Sequence, residues 1–190
     1  MSFAHVEEVL GIEREAFSNP WQRSDFEYAL GRANGYAVVA FESDALIGYA
    51  VGFFARADFH LASLAVRGDR RGKGIGRALL IRVVEGAQGR GARVISLEVR
   101  ASNIRALALY ERAGFRHVAI RQDYYTHPEE DALVMIIDGV LNRIGQCVFR
   151  LGIKLSDRAD DATKSVDVDP VALESVDEVH EAGPGRGAAD

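Results

Sequence analysis

The feature that most constrains this chain is a run of glycines set between a strand-like segment and a helix-like one. His60 to Val66 reads as a strand, and Ile75, Leu79, Leu80, Val83 and Val84 share one helical face; Arg71-Gly72-Lys73-Gly74-Ile75-Gly76-Arg77 joins the two. Closely spaced glycines at a helix start let backbone N–H groups converge on an anion, because little side chain obstructs them. Phosphate or pyrophosphate is the natural guest, and Arg71, Lys73 and Arg77 add positive charge around it. The run is not a Walker A loop, since no Gly-Lys-Ser/Thr follows the required four-residue gap and no carboxylate pair stands nearby for magnesium. It is not a dinucleotide fingerprint either, because Gly76 arrives one residue early and a meander of strands precedes the turn.

The periodicity on either side predicts a mixed α/β body. Val6 to Phe17 and Ser24 to Leu30 read as helices interrupted by Pro20-Trp21, followed by strands over Tyr36 to Ala40, Ala45 to Phe54 and His60 to Val66. Linkers this short predict an antiparallel meander. The helix after the glycines runs to Gly89–Gly91, and Val94 to Val99 returns as a strand parallel to His60 to Val66. Asn103 is placed to cap a helix over Arg105 to Ala113, with Gly114 as its stop. Phe115 to Arg121 and Ala132 to Ile137 complete the sheet, with Asp123 to Asp131 expected as a long connecting loop.

Beyond this body, which spans 1–138, the stripe Val140, Leu141, Ile144, Val148, Leu151 and Leu155 predicts an added amphipathic helix over 139–155. The remaining 156–190 read as an acidic, disordered tail. Ten acidic residues against three basic ones give that tail −7, so in a chain whose total is −5 the preceding 155 residues carry +2. That balance argues against an extensive nucleic-acid-binding surface. The single cysteine, Cys147, cannot close an internal disulfide, no signal peptide opens the chain and no stretch is apolar enough to span a bilayer; a cytoplasmic protein is expected. Oligomeric state, monomer or weak dimer, is left open. His60, His117 and His127 have no metal-ligand spacing with Cys147, so no metal is expected and these histidines default to structural or solvent roles.

Arg71-Gly72-Lys73-Gly74-Ile75-Gly76 resembles motif A of the Gcn5-related N-acetyltransferase family, whose pattern is Arg/Gln-x-x-Gly-x-Gly/Ala. A second block, Leu97 to Phe115, is similar to the subfamily that acetylates the amino terminus of small-subunit ribosomal protein S18; Arg121 to Tyr125 resembles its late loop, and Phe17 to Trp21 its early aromatic turn. The likeness covers about Val6 to Ile137. It implies a single domain with a mostly antiparallel mixed sheet, flanked by helices, in which one parallel strand pair splays apart to admit acetyl-CoA. By the resemblance, the backbone of Leu64, Ala65 and Val66 pairs with the pantetheine arm, Arg71 to Arg77 hold the pyrophosphate, and Asn103 touches the cofactor.

The same resemblance implies Glu98 as the base that frees the acceptor amine and Tyr110 as the proton donor to the coenzyme A thiolate. The residue chemistry agrees: strand alternation sets Glu98 opposite Leu97 and Val99, and a phenol neutral at pH 7 can point its O–H toward sulfur. An α-amine, with a reference pKa near 8, needs less help from a base than a lysine amine near 10.4. Trp21, Tyr124 and Tyr125 are flat surfaces suited to flank an incoming peptide end, with core packing as the competing reading. The expected acceptor is thus the amino terminus of ribosomal protein S18. The alternatives are a lysine side chain, a small-molecule amine, or a coenzyme A-binding regulator without turnover.

Overall fold

The computed structural model describes residues 1–138, 153–157 and 164–166. Helices α1 (Val6–Ala16) and α2 (Arg23–Gly31) precede the strands β1 (Gly35–Glu42), β2 (Ala45–Ala55) and β3 (Asp58–Val66). Helix α3 (Ile75–Gly89), strand β4 (Val94–Arg100), helix α4 (Ile104–Arg112) and the strands β5 (Arg116–Thr126) and β6 (Glu129–Asp138) follow, with short strands β7 (Ile153–Asp157) and β8 (Lys164–Val166) after them. They form one sheet in the order β5-β6-β4-β3-β2-β1-β7-β8. Among the described strands only β3 and β4 pair in parallel; every other neighbour is antiparallel.

Alternation along the strands divides the apolar residues between two faces. Ile95, Leu97 and Val99 of β4 join Leu79, Leu80, Val83 and Val84 of α3 and Tyr110 of α4 in one core. On the other face Val9, Leu10 and Ile12 of α1 and Phe26 of α2 pack with Tyr49, Val51, Ala62 and Ala65. A residue on β4 that points away from the first core must therefore point to the face that carries α1 and α2.

The sheet opens where the parallel pair ends. β3 and β4 pair from Asp58↔Val94 to His60↔Ser96 and then part, although β4 keeps its antiparallel partner through Arg100↔Ala132 and β3 through Val66↔Gly48. The register of β3 against β2 steps from Val51↔Ser63 to Gly52↔Leu61, leaving Ala62 as an extra residue two positions after the last parallel pair. Such a bulge increases local twist and turns a strand away from its neighbour. Gly52 makes it possible: a Cβ there would lie 2.2 Å from His60 O.

Two expectations are corrected. Asp123 to Asp131 is not a long loop, because β5 continues to Thr126 and β6 starts at Glu129. Arg100 holds this hairpin: its Nη1 donates to Pro128 O (3.0 Å), its Nη2 to His127 O (3.2 Å), its guanidinium pairs with Glu130 (3.2 Å) and lies 4.1 Å from the centre of the Tyr125 ring. Charge-assisted bonds of this kind each contribute about 1.5–3 kcal/mol, so Arg100→Ala is expected to lower stability by about 2–3 kcal/mol, read as a Tm drop of about 5–10 °C. An unchanged Tm would mean that the hairpin is held by its strand pairing alone.

The second correction concerns the chain after the body. Ile153 to Leu155, expected at the end of a helix, instead begin β7, which pairs with β1 from Glu42↔Ile153 to Val38↔Asp157. Leu155 is buried in the first core while Lys154 is exposed, a period of two that the longer helical stripe had masked, and the pairing satisfies the open edge of β1. Strand β8 likewise falls within the expected disordered tail. The rest of the predicted helix and tail lies outside the described residues.

Candidate active site

The glycine run keeps its predicted place between β3 and α3. A short 3-10 turn, Gly68–Arg70, leads into it, tied down by Arg70 Nε to Glu42 (2.7 Å) and by Gly68 N to Glu15 Oε1 (3.1 Å). Gly72 and Gly74 have φ of 76° and 81°, the left-handed region open to glycine at little cost. Gly74 caps α3, and the first helical bond runs from Ala78 N to Gly74 O, so the amides of Gly74, Ile75 and Gly76 emerge at the helix end. Arg71 Nε donates to Val66 O at 3.0 Å and stitches the turn to β3. Lys73 is exposed and Arg77 half-buried at the rim. The side chains of Leu64, Ala65 and Val66 are buried, which leaves their backbone as the part presented to the opening between β3 and β4.

Glu98 lies at that opening on the α1/α2 face, 2% exposed. Its Oε1 is 3.1 Å from Arg121 Nη1 of β5, and its Oε2 is 3.3 Å from His60 Nε2 of β3. His60 Nδ1 in turn lies 3.3 Å from Ser96 Oγ. Burial holds the His60 imidazole below its usual range, opposed by the pull of Glu98 and assisted by Arg121. Tyr110 stands on the opposite face, fully buried in the first core, with its ring 5.6 Å from that of Phe115. Its hydroxyl has no hydrogen-bond partner among the described residues, and burial pushes the phenol well above its ordinary value. A buried carboxylate and a buried, unspent O–H thus belong to opposite faces of one split sheet.

These features match a family described as the Acetyltransferase (GNAT) family, whose model covers residues 6–115. This chain is a GNAT acetyltransferase. Among its relatives, the [ribosomal protein bS18]-alanine N-acetyltransferase of Escherichia coli K12 is 34% identical over 129 residues, 66% of this chain and 86% of that protein. The N-alpha-acetyltransferase RimI of Mycobacterium tuberculosis is 32% identical over 138 residues, 70% of this chain and 85% of that protein. The crystal structure of the ribosomal-protein-S18-alanine N-acetyltransferase from Escherichia coli aligns with a TM-score of 0.66 at 29% identity, covering 76% of this chain and 94% of that one. GNAT enzymes use acetyl-CoA, and the residues present fit it: helix-end amides and two left-handed glycines stand at one end of an unpaired strand edge, and the core beneath the sheet holds a buried hydroxyl with no partner among the described residues.

Of the residues expected at the acetyltransferase's site, Trp21 and Tyr125 are buried. Trp21 is 4% exposed, its ring packed 5.1 Å from Phe26 and 6.4 Å from Phe53 and its backbone N–H donating to Glu13 Oε1 (2.9 Å). It is core, so it offers no open face to an incoming chain. Asn103 caps α4, its Oδ1 accepting from Ala106 N at 3.0 Å. Tyr125 is buried beneath Arg100, whereas Tyr124 is half-buried, perpendicular to Tyr125 and under Arg121 (5.5 Å). Sequence reasoning missed His60 and the Arg121 contact. The flanking apolar residues Phe59 and Leu61 set His60 on the α1/α2 face, but its place beside Ser96 and Glu98 needed the parallel register.

Proposed function

We propose that this GNAT enzyme transfers the acetyl group of acetyl-CoA to the α-amine of a protein amino terminus, with the N-terminal alanine of ribosomal protein bS18 as acceptor and the cytoplasm as its place of action. The observation that carries the reading is Glu98, a carboxylate 2% exposed at the mouth of the split strands. Such a group can take a proton from an ammonium held against it, and an α-amine asks little of it. The names of the relatives support the acceptor.

In this reading the amides of Gly74 to Gly76 hold the pyrophosphate and the backbone of Leu64 to Val66 aligns the pantetheine arm, with Lys73 and Arg77 adding charge at the rim. Acetyl-CoA, when bound, supplies a thioester whose carbonyl carbon the amine attacks. Glu98 accepts the amine's proton from the α1/α2 face. Tyr110, kept protonated by burial, donates to the departing sulfur from the α3/α4 face, and the second proton lost by the nitrogen restores its hydroxyl. Tyr124 is the aromatic surface left for the peptide end, and Asn103 contributes through its cap.

Gly74→Val tests the cradle. A β-branched residue forced to φ near 81° costs about 1–2 kcal/mol, so the KM for acetyl-CoA is expected to rise about tenfold with kcat nearly unchanged; an unchanged KM would count against the phosphate assignment. The acceptor is tested with two versions of a peptide carrying the bS18 amino terminus and an internal lysine, one with its α-amine free and one blocked. Mass spectrometry should find a single acetyl group on the free terminus and none on the blocked peptide. Equal modification of both would move the activity to lysine side chains, and modification of neither, with small amines acetylated instead, would move it to small molecules.

A further inference from the structure

Converting an ammonium and a thioester into an amide and a thiol releases one proton per turnover, since the nitrogen gives up two and the departing thiolate takes back one. Glu98, if it takes the first, must return it to water before the next cycle. Its side chain is only 3% exposed, which makes direct return to bulk solvent slow.

We propose that His60 is the proton relay of this enzyme, passing the proton collected by Glu98 to solvent. The inference rests on Glu98 being the base. The two oxygens of that carboxylate face different partners: Oε1 faces Arg121 on β5, while Oε2, which makes no hydrogen bond among the described residues, lies 3.3 Å from His60 Nε2 on β3. Arg121 is permanently charged and cannot accept a proton, which excludes it as the exit. Its side chain is 54% exposed, so the Oε1 side is the one an incoming ammonium reaches, by displacing a solvent-facing cation. His60 is on the other side, 35% exposed, and thus spans from the buried carboxylate to the surface.

The charged groups facing the imidazole are Glu98 from β4 and Arg121 from β5, and the neutral Ser96 hydroxyl meets its second nitrogen. Burial keeps the ring neutral near pH 7, the form that can accept. The proton leaves Glu98 Oε2 for His60 Nε2, the ring becomes an imidazolium beside a carboxylate, and it then gives its Nδ1 proton to water through the half-buried Ser96 hydroxyl, a tautomer exchange restoring Nδ1–H. Only O–H and N–H bonds change, and both groups return to their starting charge.

The test compares His60→Gln, His60→Ala and Glu98→Gln in steady-state kinetics on an α-amine peptide, with acetyl-CoA binding and Tm measured for each. His60→Gln keeps polar contact but cannot relay, and is expected to lower kcat about tenfold, less than the hundredfold or more of a direct acid–base group, with acetyl-CoA affinity unchanged. His60→Ala should fall equally and recover on adding imidazole, which a purely structural histidine would not do. Wild-type kcat in His60→Gln, or no response of His60→Ala to imidazole, overturns the relay while a disabled Glu98→Gln leaves the base in place. A fully active Glu98→Gln removes the base and the relay together.

Discussion

Glu98→Gln is expected to lower kcat by about two to four orders of magnitude at neutral pH, the range that a positioned general base supplies. The substitution is nearly isosteric, and the partners it deprives, Arg121 at 54% and His60 at 35% exposure, can turn to water. The fold should therefore persist. Binding of acetyl-CoA should also persist, because the helix-end amides at Gly74 to Gly76 belong to a different element. The deficit carries its own pH signature. Below the α-amine's pKa of about 8 the acceptor is an ammonium and needs the base; above it the free amine is already present. The gap between variant and wild type should narrow as pH is raised through 8 to 9, measured as kcat/KM for the peptide. A gap that stays constant would assign Glu98 to binding rather than proton removal.

Tyr110→Phe is expected to move activity and stability in opposite directions. The Tyr110 hydroxyl is buried without a hydrogen-bond partner among the described residues, and such a group costs about 1–3 kcal/mol relative to a satisfied or absent one. Phenylalanine keeps the ring and its packing on Phe115 while removing that cost, so Tm should rise by a few degrees. The rate of the chemical step should fall by about a hundredfold, because the thiolate then leaves without its proton donor. Single-turnover kinetics isolates this step from product release. A stabilised variant with an undiminished single-turnover rate would reduce Tyr110 to a packing residue.

Much of this site was legible because it is local. The glycine run, the cap at Asn103 and the alternation around Glu98 each depend on residues within a turn or two, and each is found where spacing placed it. What stayed hidden depends on register. His60 meets Glu98 only because β3 and β4 pair in parallel for three residues, and Arg121 reaches it across β6. Trp21 illustrates a different failure: an aromatic beside a proline reads equally well as a binding surface or a core anchor, and the buried Glu13 carboxylate that receives its N–H decides the matter from the preceding helix. In β7, the alternation of Lys154, Leu155 and Ser156 was outvoted by a longer helical stripe, because the open edge of β1 that recruits them is invisible along the chain.

The acetylation state of bS18 in cells lacking this protein tests the central claim most directly. With the gene deleted, the N-terminal alanine of bS18 should be found unacetylated by mass spectrometry of purified ribosomes, restored by the wild-type chain and not by Glu98→Gln. A terminus that remains fully acetylated in the deletion would contradict the account.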